Sequence, residues 1–159
     1  MHNSVNLISE SRVPVLPGEI AFVIGFPRGL HTGFGLPIWK STFLASEPHY
    51  DVEIGERLLP AFFLDGYTRE GIPGSPVFAR YRGMWDMNDP YKPVDPDEPD
   101  FWSRDDVAML GSEATEFIGI YSGRISDNEG EAALGLCWRK EVIEEICSSY
   151  VPPKTPQAA

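Results

Sequence analysis

Apolar residues fall along the chain in short runs, each broken by proline or glycine. Residues 19–26 (EIAFVIGF) form the first run, and Pro27 stops it. This predicts a strand. Residues 28–37 hold Gly29, Gly33 and Gly35 and read as a loop. Residues 38–46 (IWKSTFLAS) predict a second strand, ended by Pro48. Residues 49–58 are polar and acidic and read as another loop. A third strand is expected over 60–67 (PAFFLDGY), a tight turn over 68–74 (TREGIPG), and a fourth strand over 75–81 (SPVFARY). The fifth and sixth are expected over 116–124 (EFIGIYSGR) and 132–138 (AALGLCW).

The period then changes. Val142, Ile143, Ile146 and Cys147 share one helical face, which predicts a short helix over 140–150. Pro152, Pro153 and Pro156 follow it, so residues 151–159 are expected to be a frayed tail. Residues 1–17 read as a polar lead-in. The expected fold class is all-β: one six-stranded antiparallel barrel over 18–150, closed by a short C-terminal helix.

Residues 84–106 break the pattern. The segment carries eight acids and two bases and has prolines at 90, 93, 96 and 99. A period of three matches the turn of polyproline II. The expectation is a long acidic, Pro-rich insertion, neither strand nor helix. Trp85, Tyr91, Phe101 and Trp102 favour partial packing and are candidates for holding a partner.

Composition adds constraints. The chain has 159 residues, enough for a single core-bearing domain. Fifteen glycines and fifteen prolines argue for turns and short strands. The net charge of −11 speaks against a basic nucleic-acid surface and against docking on an anionic membrane. No apolar stretch nears the ~20 residues of a spanning helix. Cys137 and Cys147 form no CxxC pair and no zinc pattern, and no signal peptide is evident. The expectation is a cytoplasmic protein without cofactor or metal. His49, Asp51, Glu53 and Glu56 make a loose set of possible metal ligands, read as a solvated acidic loop.

The chemistry-bearing stretch is GIPGSPVF, residues 71–78. It resembles the nucleophile turn of trypsin-like serine peptidases. The resemblance continues in order through GEIAFVIGFPRGL (18–30), LPIWKSTFLASEP (36–48), FLDGYTREG (63–71), FIGIYSGRI (117–125) and ALGLCWRKEVIEEI (133–146). Together these are similar to the second, C-terminal barrel of bacterial members. The resemblance implies that Gly71 occupies the oxyanion-hole position, Pro73 the nucleophile position and Gly74 the glycine after it. Ile72 and Ser75 complete the degenerate turn. It further implies that Ser122, Gly123 and Arg124 form the strand edge that pairs with a peptide; Arg124 stands where a small residue is common.

Two departures shape the functional expectation. Proline has neither a hydroxyl to attack a carbonyl nor an N–H to hold an oxyanion. Losing one such donor costs about 3–4 kcal/mol in the transition state. The first barrel, which in this family carries the histidine and aspartate, has no counterpart in the short lead-in. Ser75, His31 and His49 are weak substitutes. Asp65 reads as structural, and His2 as a terminal residue.

The chain is therefore expected to be a pseudoprotease that binds a protein or peptide partner. That partner is another chain's N-terminal barrel, a second copy or a free segment. Two alternatives remain: a remnant or half of a split peptidase, and an acidic interaction protein unrelated to proteolysis.

Overall fold

The computed structural model describes residues 13–66, 72–89, 92, 94–108, 113–125 and 134–150. The protein is mostly β. Six strands close into an antiparallel barrel: β1 (Ile20–Gly25), β2 (Ile38–Leu44), β5 (Ala61–Asp65), β6 (Pro76–Arg82), β9 (Glu113–Arg124) and β10 (Leu134–Arg139). Around the wall they run β1-β2-β5-β10-β9-β6, and β6 closes on β1. Strand β6 thus returns to lie beside β1 after three strands laid side by side, a Greek-key order. All six correspond to expected strands within a few residues. Helix α1 (Lys140–Ser149) follows β10 directly, as expected.

Alternation fills the barrel. Along β1, Ala21, Val23 and Gly25 face inward, while Ile20, Phe22 and Ile24 stay half-exposed outside. The interior holds Leu44, Phe62, Leu64, Val77, Ala79, Ile118, Tyr121 and Cys137. Burial pushes the Cys137 thiol up, whereas Cys147 on α1 is exposed. The helix packs only loosely. Val142 and Ile143 are half-buried, but Ile146 and Cys147, placed on the same face by their spacing, remain exposed.

The lead-in is less polar in effect than its composition. Val13 and Val15 are buried in the barrel core. The Val13 N–H donates to the Glu116 carboxylate at 3.0 Å, and Lys140 Nζ reaches the other oxygen at 2.5 Å. One carboxylate therefore ties the lead-in, β9 and α1 together.

Two elements were hidden by polarity. Residues 49–58, expected as a loop, contain the hairpin β3 (Val52–Ile54) and β4 (Arg57–Leu59). Gly55, at φ +63, opens its two-residue turn, and glycine is what that first position needs. Arg139 holds the hairpin base through an ion pair with Asp51.

The described parts of the acidic insertion are also folded, against the expectation that it forms neither strand nor helix. β7 (Trp85–Asp86) pairs with β8 (Val107–Ala108), and Phe101–Ser103 make a 3-10 turn. At Pro96 and Pro99 the backbone forms turns and not polyproline II. The Glu98 N–H bonds the Asp95 carbonyl, and the Phe101 N–H bonds the Glu98 carbonyl. Pro96 and Pro99 thus sit second in two successive turns, where a fixed φ is favoured. Turns that share an end residue repeat every three.

A buried carboxylate organises this segment. Asp86 Oδ1 accepts the Asn88 and Asp89 N–H groups, and Oδ2 lies 2.7 Å from Arg104 Nη2. Arg104 also reaches Asp106. The Asn88 N–H first, then the Asp89 N–H and Arg104, hold the Asp86 carboxyl below the usual carboxylate range, against the opposing effect of burial. A carboxyl with a lowered folded-state pKa adds stability above its unfolded value, about 4. That stability is lost as pH falls through the folded value. Thermal midpoints measured from pH 7 to pH 2 should therefore drop more steeply below pH 4 for the wild type than for Asp86→Asn. The variant should be the less stable at pH 7. Parallel curves would mean that Asp86 makes no such contribution.

Candidate functional site

The two ends of the barrel differ. At one end lie the lead-in, the β3–β4 hairpin, the β7–β8 ribbon and α1. At the other lie the loop over 26–37, the turn over 72–75 and the last residues of β9. Strand β6 spans them, so its Arg82 end is about 20 Å from its Pro76 end.

The turn is built around Pro73 and Gly74. The Ser75 N–H donates to the Ile72 carbonyl at 3.0 Å, closing a four-residue turn. Gly74 has φ +87. Proline second and a positive-φ glycine third define a type II turn, so Pro73 suits its place structurally. The Gly74 N–H donates to the Tyr121 carbonyl at 2.7 Å. Hence Pro73 lacks an N–H, and those of Gly74 and Ser75 are committed within the fold. This stretch leaves no backbone donor for an anionic oxygen. Gly71 lies outside the described residues.

Ile72 turns inward and caps the core. Ser75 is 9% exposed, and its side chain presses on the Gly25 backbone so closely that any Cβ at 25 would collide with it. That contact makes Ser75 a packing residue.

The turn leads directly to the Ser122–Arg124 segment. The Tyr121 N–H donates to the Ser75 carbonyl at 2.9 Å. Pairing of β6 with β9 ends at Pro76–Ile120, while β9 continues to Arg124. Among the described residues, no strand covers the β6 side of Ser122 and Gly123. Their other side pairs with β10. Ser122 is the extra residue of a bulge there, because Tyr121 faces Cys137 and Gly123 faces Leu136. Gly123, at φ +149, adopts a backbone only glycine takes easily.

The other candidates are dispersed. His31 is exposed in the 26–37 loop, with Nδ1 2.9 Å from the Thr32 carbonyl. His49 lies at the opposite end, where its carbonyl accepts from Arg139. Asp65 ends β5, and its main-chain carbonyl accepts from the Thr42 hydroxyl. Glu53 and Glu56 are exposed. Among the described residues, no three of His, Cys, Asp and Glu gather as metal ligands. Trp85 and Phe101 are buried within the chain, and Trp102 is 73% exposed. His2 and Tyr91 lie outside the described residues.

Sequence reasoning overlooked two features. A cleft of about 420 Å³ opens at the ribbon end, lined by Val15, Phe62, Glu116, Arg139 and Lys140 among others. Its Glu116 and Lys140 are paired with each other, and Arg139 with Asp51. The second is a set of exposed apolar side chains in the 26–37 loop: Phe26, Leu30, Phe34 and Leu36. Their signal was present in the sequence as apolar residues between glycines.

The described residues define a closed six-stranded β-barrel in which β9 runs past its pairing with β6 beside a Pro-Gly turn. No family model matches the chain, and comparisons with curated proteins and with solved structures return no match. No described helix is long and apolar enough to cross a membrane.

Proposed function

We propose that this chain is a catalytically inactive relative of trypsin-like serine peptidases, equivalent to their second barrel, and that it binds a protein or peptide partner. The observation carrying the reading is the junction of the turn with β9. The turn at the nucleophile position offers no hydroxyl at Pro73 and no backbone donor from Pro73 to Ser75. Immediately beyond it, no described strand pairs with the β6 side of Ser122 and Gly123, which leaves a place for an added strand. Strand addition gives affinity through main-chain hydrogen bonds without chemistry on the bound segment. The six-stranded barrel and closing helix are compatible with the resemblance. Two unjoined thiols fit a reducing, cytoplasmic setting.

The test has two arms. A fluorophosphonate probe should leave both the wild type and Pro73→Ser unlabelled, since restoring a hydroxyl supplies no base. A stoichiometric adduct on Ser75 of the wild type would sink the inactive reading. Panning the full chain against a random dodecapeptide phage library should enrich binders, and Ser122→Pro should lose them. Failure to enrich any peptide would count against the binding edge.

A further inference from the structure

The β1–β2 hairpin ends in a finger that stands clear of the barrel. Every residue from Arg28 to Leu36 is exposed, and Phe34 is fully so. A methyl added at Gly29, Gly33 or Gly35 would meet nothing within 4 Å. The finger is shaped by its own hydrogen bonds. The Gly29 and Leu30 N–H groups donate to the Phe26 and Pro27 carbonyls, and the Thr32 N–H donates to the Leu36 carbonyl, each at 2.9 Å. Arg28 at φ +52 and Phe34 at φ +64 hold left-handed backbone that favours glycine. Strained backbone at an exposed aromatic points to a working surface.

What the finger presents is apolar and carries no negative charge. Leu30, Phe34 and Leu36 project from it, and Phe26 and Trp39 are exposed where it leaves the barrel wall. From Ile20 to Ser46 the chain holds Arg28 and Lys40 and no acid; all 24 acids lie elsewhere. The net charge of −11 speaks against an anionic surface only when averaged over the chain. The acidic insertion hangs from the opposite end of the barrel, about 20 Å away along β6. That exceeds the Debye length of about 8 Å at physiological salt, so its repulsion is largely screened at the finger. Residues 126–133 carry three more acids and connect β9 to β10, the strands across the barrel from β2 and β1.

We infer that this finger is a membrane-docking element whose occupant is an anionic phospholipid surface. The inference is independent of strand addition. A projecting apolar tip suits a medium that yields around it, as the boundary between headgroups and acyl chains does. Leu30, Phe34 and Leu36 enter that boundary and leave water. Trp39, held edge-on against Phe22, comes to lie at headgroup level, where indole rings are favoured. Arg28 stays beside the phosphates, and the absence of acids from the hairpin spares the approach its main local repulsion. The acidic insertion remains on the water side. An acidic peptide would complement Arg28 but leave the apolar tip unmatched.

Flotation of the full chain with vesicles tests this. The vesicles are phosphatidylcholine alone, or phosphatidylcholine mixed in equal parts with phosphatidylserine. The wild type should float with the mixed vesicles, less with phosphatidylcholine alone, and less as salt is raised. Leu30→Ser/Phe34→Ser should bind the mixed vesicles roughly tenfold or more weakly. Arg28→Gly, which suits its φ, should bind them about fivefold more weakly. The replaced side chains are exposed, so both variants should fold, as checked by circular dichroism. Bromine-labelled lipid gives a readout that does not need them: it should quench tryptophan emission in the wild type and not in Trp39→Phe. No flotation with mixed vesicles, or equal flotation of the double variant, would overturn the inference. Equal binding to both lipid compositions would overturn the anionic surface. Self-association that is lost in the double variant, without vesicle binding, would make a second copy the occupant and overturn it as well. Flotation does not use the Ser122–Gly123 edge, so failure of the peptide panning and failure of this inference are distinct results.

Discussion

Trp85→Ala should cost about 3–5 kcal/mol of folding stability, the range for truncating a buried large aromatic. Trp85 is 4% exposed and belongs to the barrel core. Its ring meets Tyr81 edge-on, with centroids 5.4 Å apart and planes at 90°. Alanine would open a cavity under the β7–β8 ribbon and remove this aromatic pair. Against a typical total of roughly 5–15 kcal/mol, such a loss brings a domain near its limit. Urea unfolding measures it directly. Trp102→Ala is the control, because its exposed ring loses only an edge-on contact with Phe101 and should cost no more than about 1.5 kcal/mol. A loss at Trp85 as small as that of the control would mean the ribbon is a detachable flap.

Gly119→Ala is the second large effect. A Cβ at 119 would run into the Trp138 carbonyl oxygen and come within 2.9 Å of the Cys137 sulfur. The carbonyl is backbone, so β9 and β10 would have to part where they pair. Overpacking of this kind typically costs about 1–3 kcal/mol, occasionally more. Gly33→Ala adds the same methyl where nothing lies within 4 Å and should be nearly neutral. Equal unfolding midpoints for the two variants would contradict the close approach of β9 and β10.

The site was legible in unequal parts. The Pro-Gly pair at 73–74 announced a turn, and proline at 73 announced the missing hydroxyl and N–H. Nothing in the sequence said that the remaining N–H groups are committed, because their acceptors include Tyr121, nearly fifty residues away. How far β9 runs past its pairing with β6 depends likewise on where β6 stops pairing, which is a matter of register. The apolar loop was readable as residues, but its exposure was not.

The sequence by itself determined the number, order and approximate limits of the barrel strands and the closing helix. Alternating apolar side chains and Pro/Gly breaks are local signals, and six such segments have few ways to hide their inner faces. The tertiary structure alone decided the rest. Val13 and Val15 became core because a barrel end needs filling. The described parts of 84–106 fold despite their charge because one arginine, Arg104, meets a buried Asp86 eighteen positions away. Pro96 and Pro99 turned the chain instead of extending it because that ion pair and the β7–β8 pairing draw both ends of the insertion together. Each outcome depends on contacts between distant residues, and local periodicity carries no record of them.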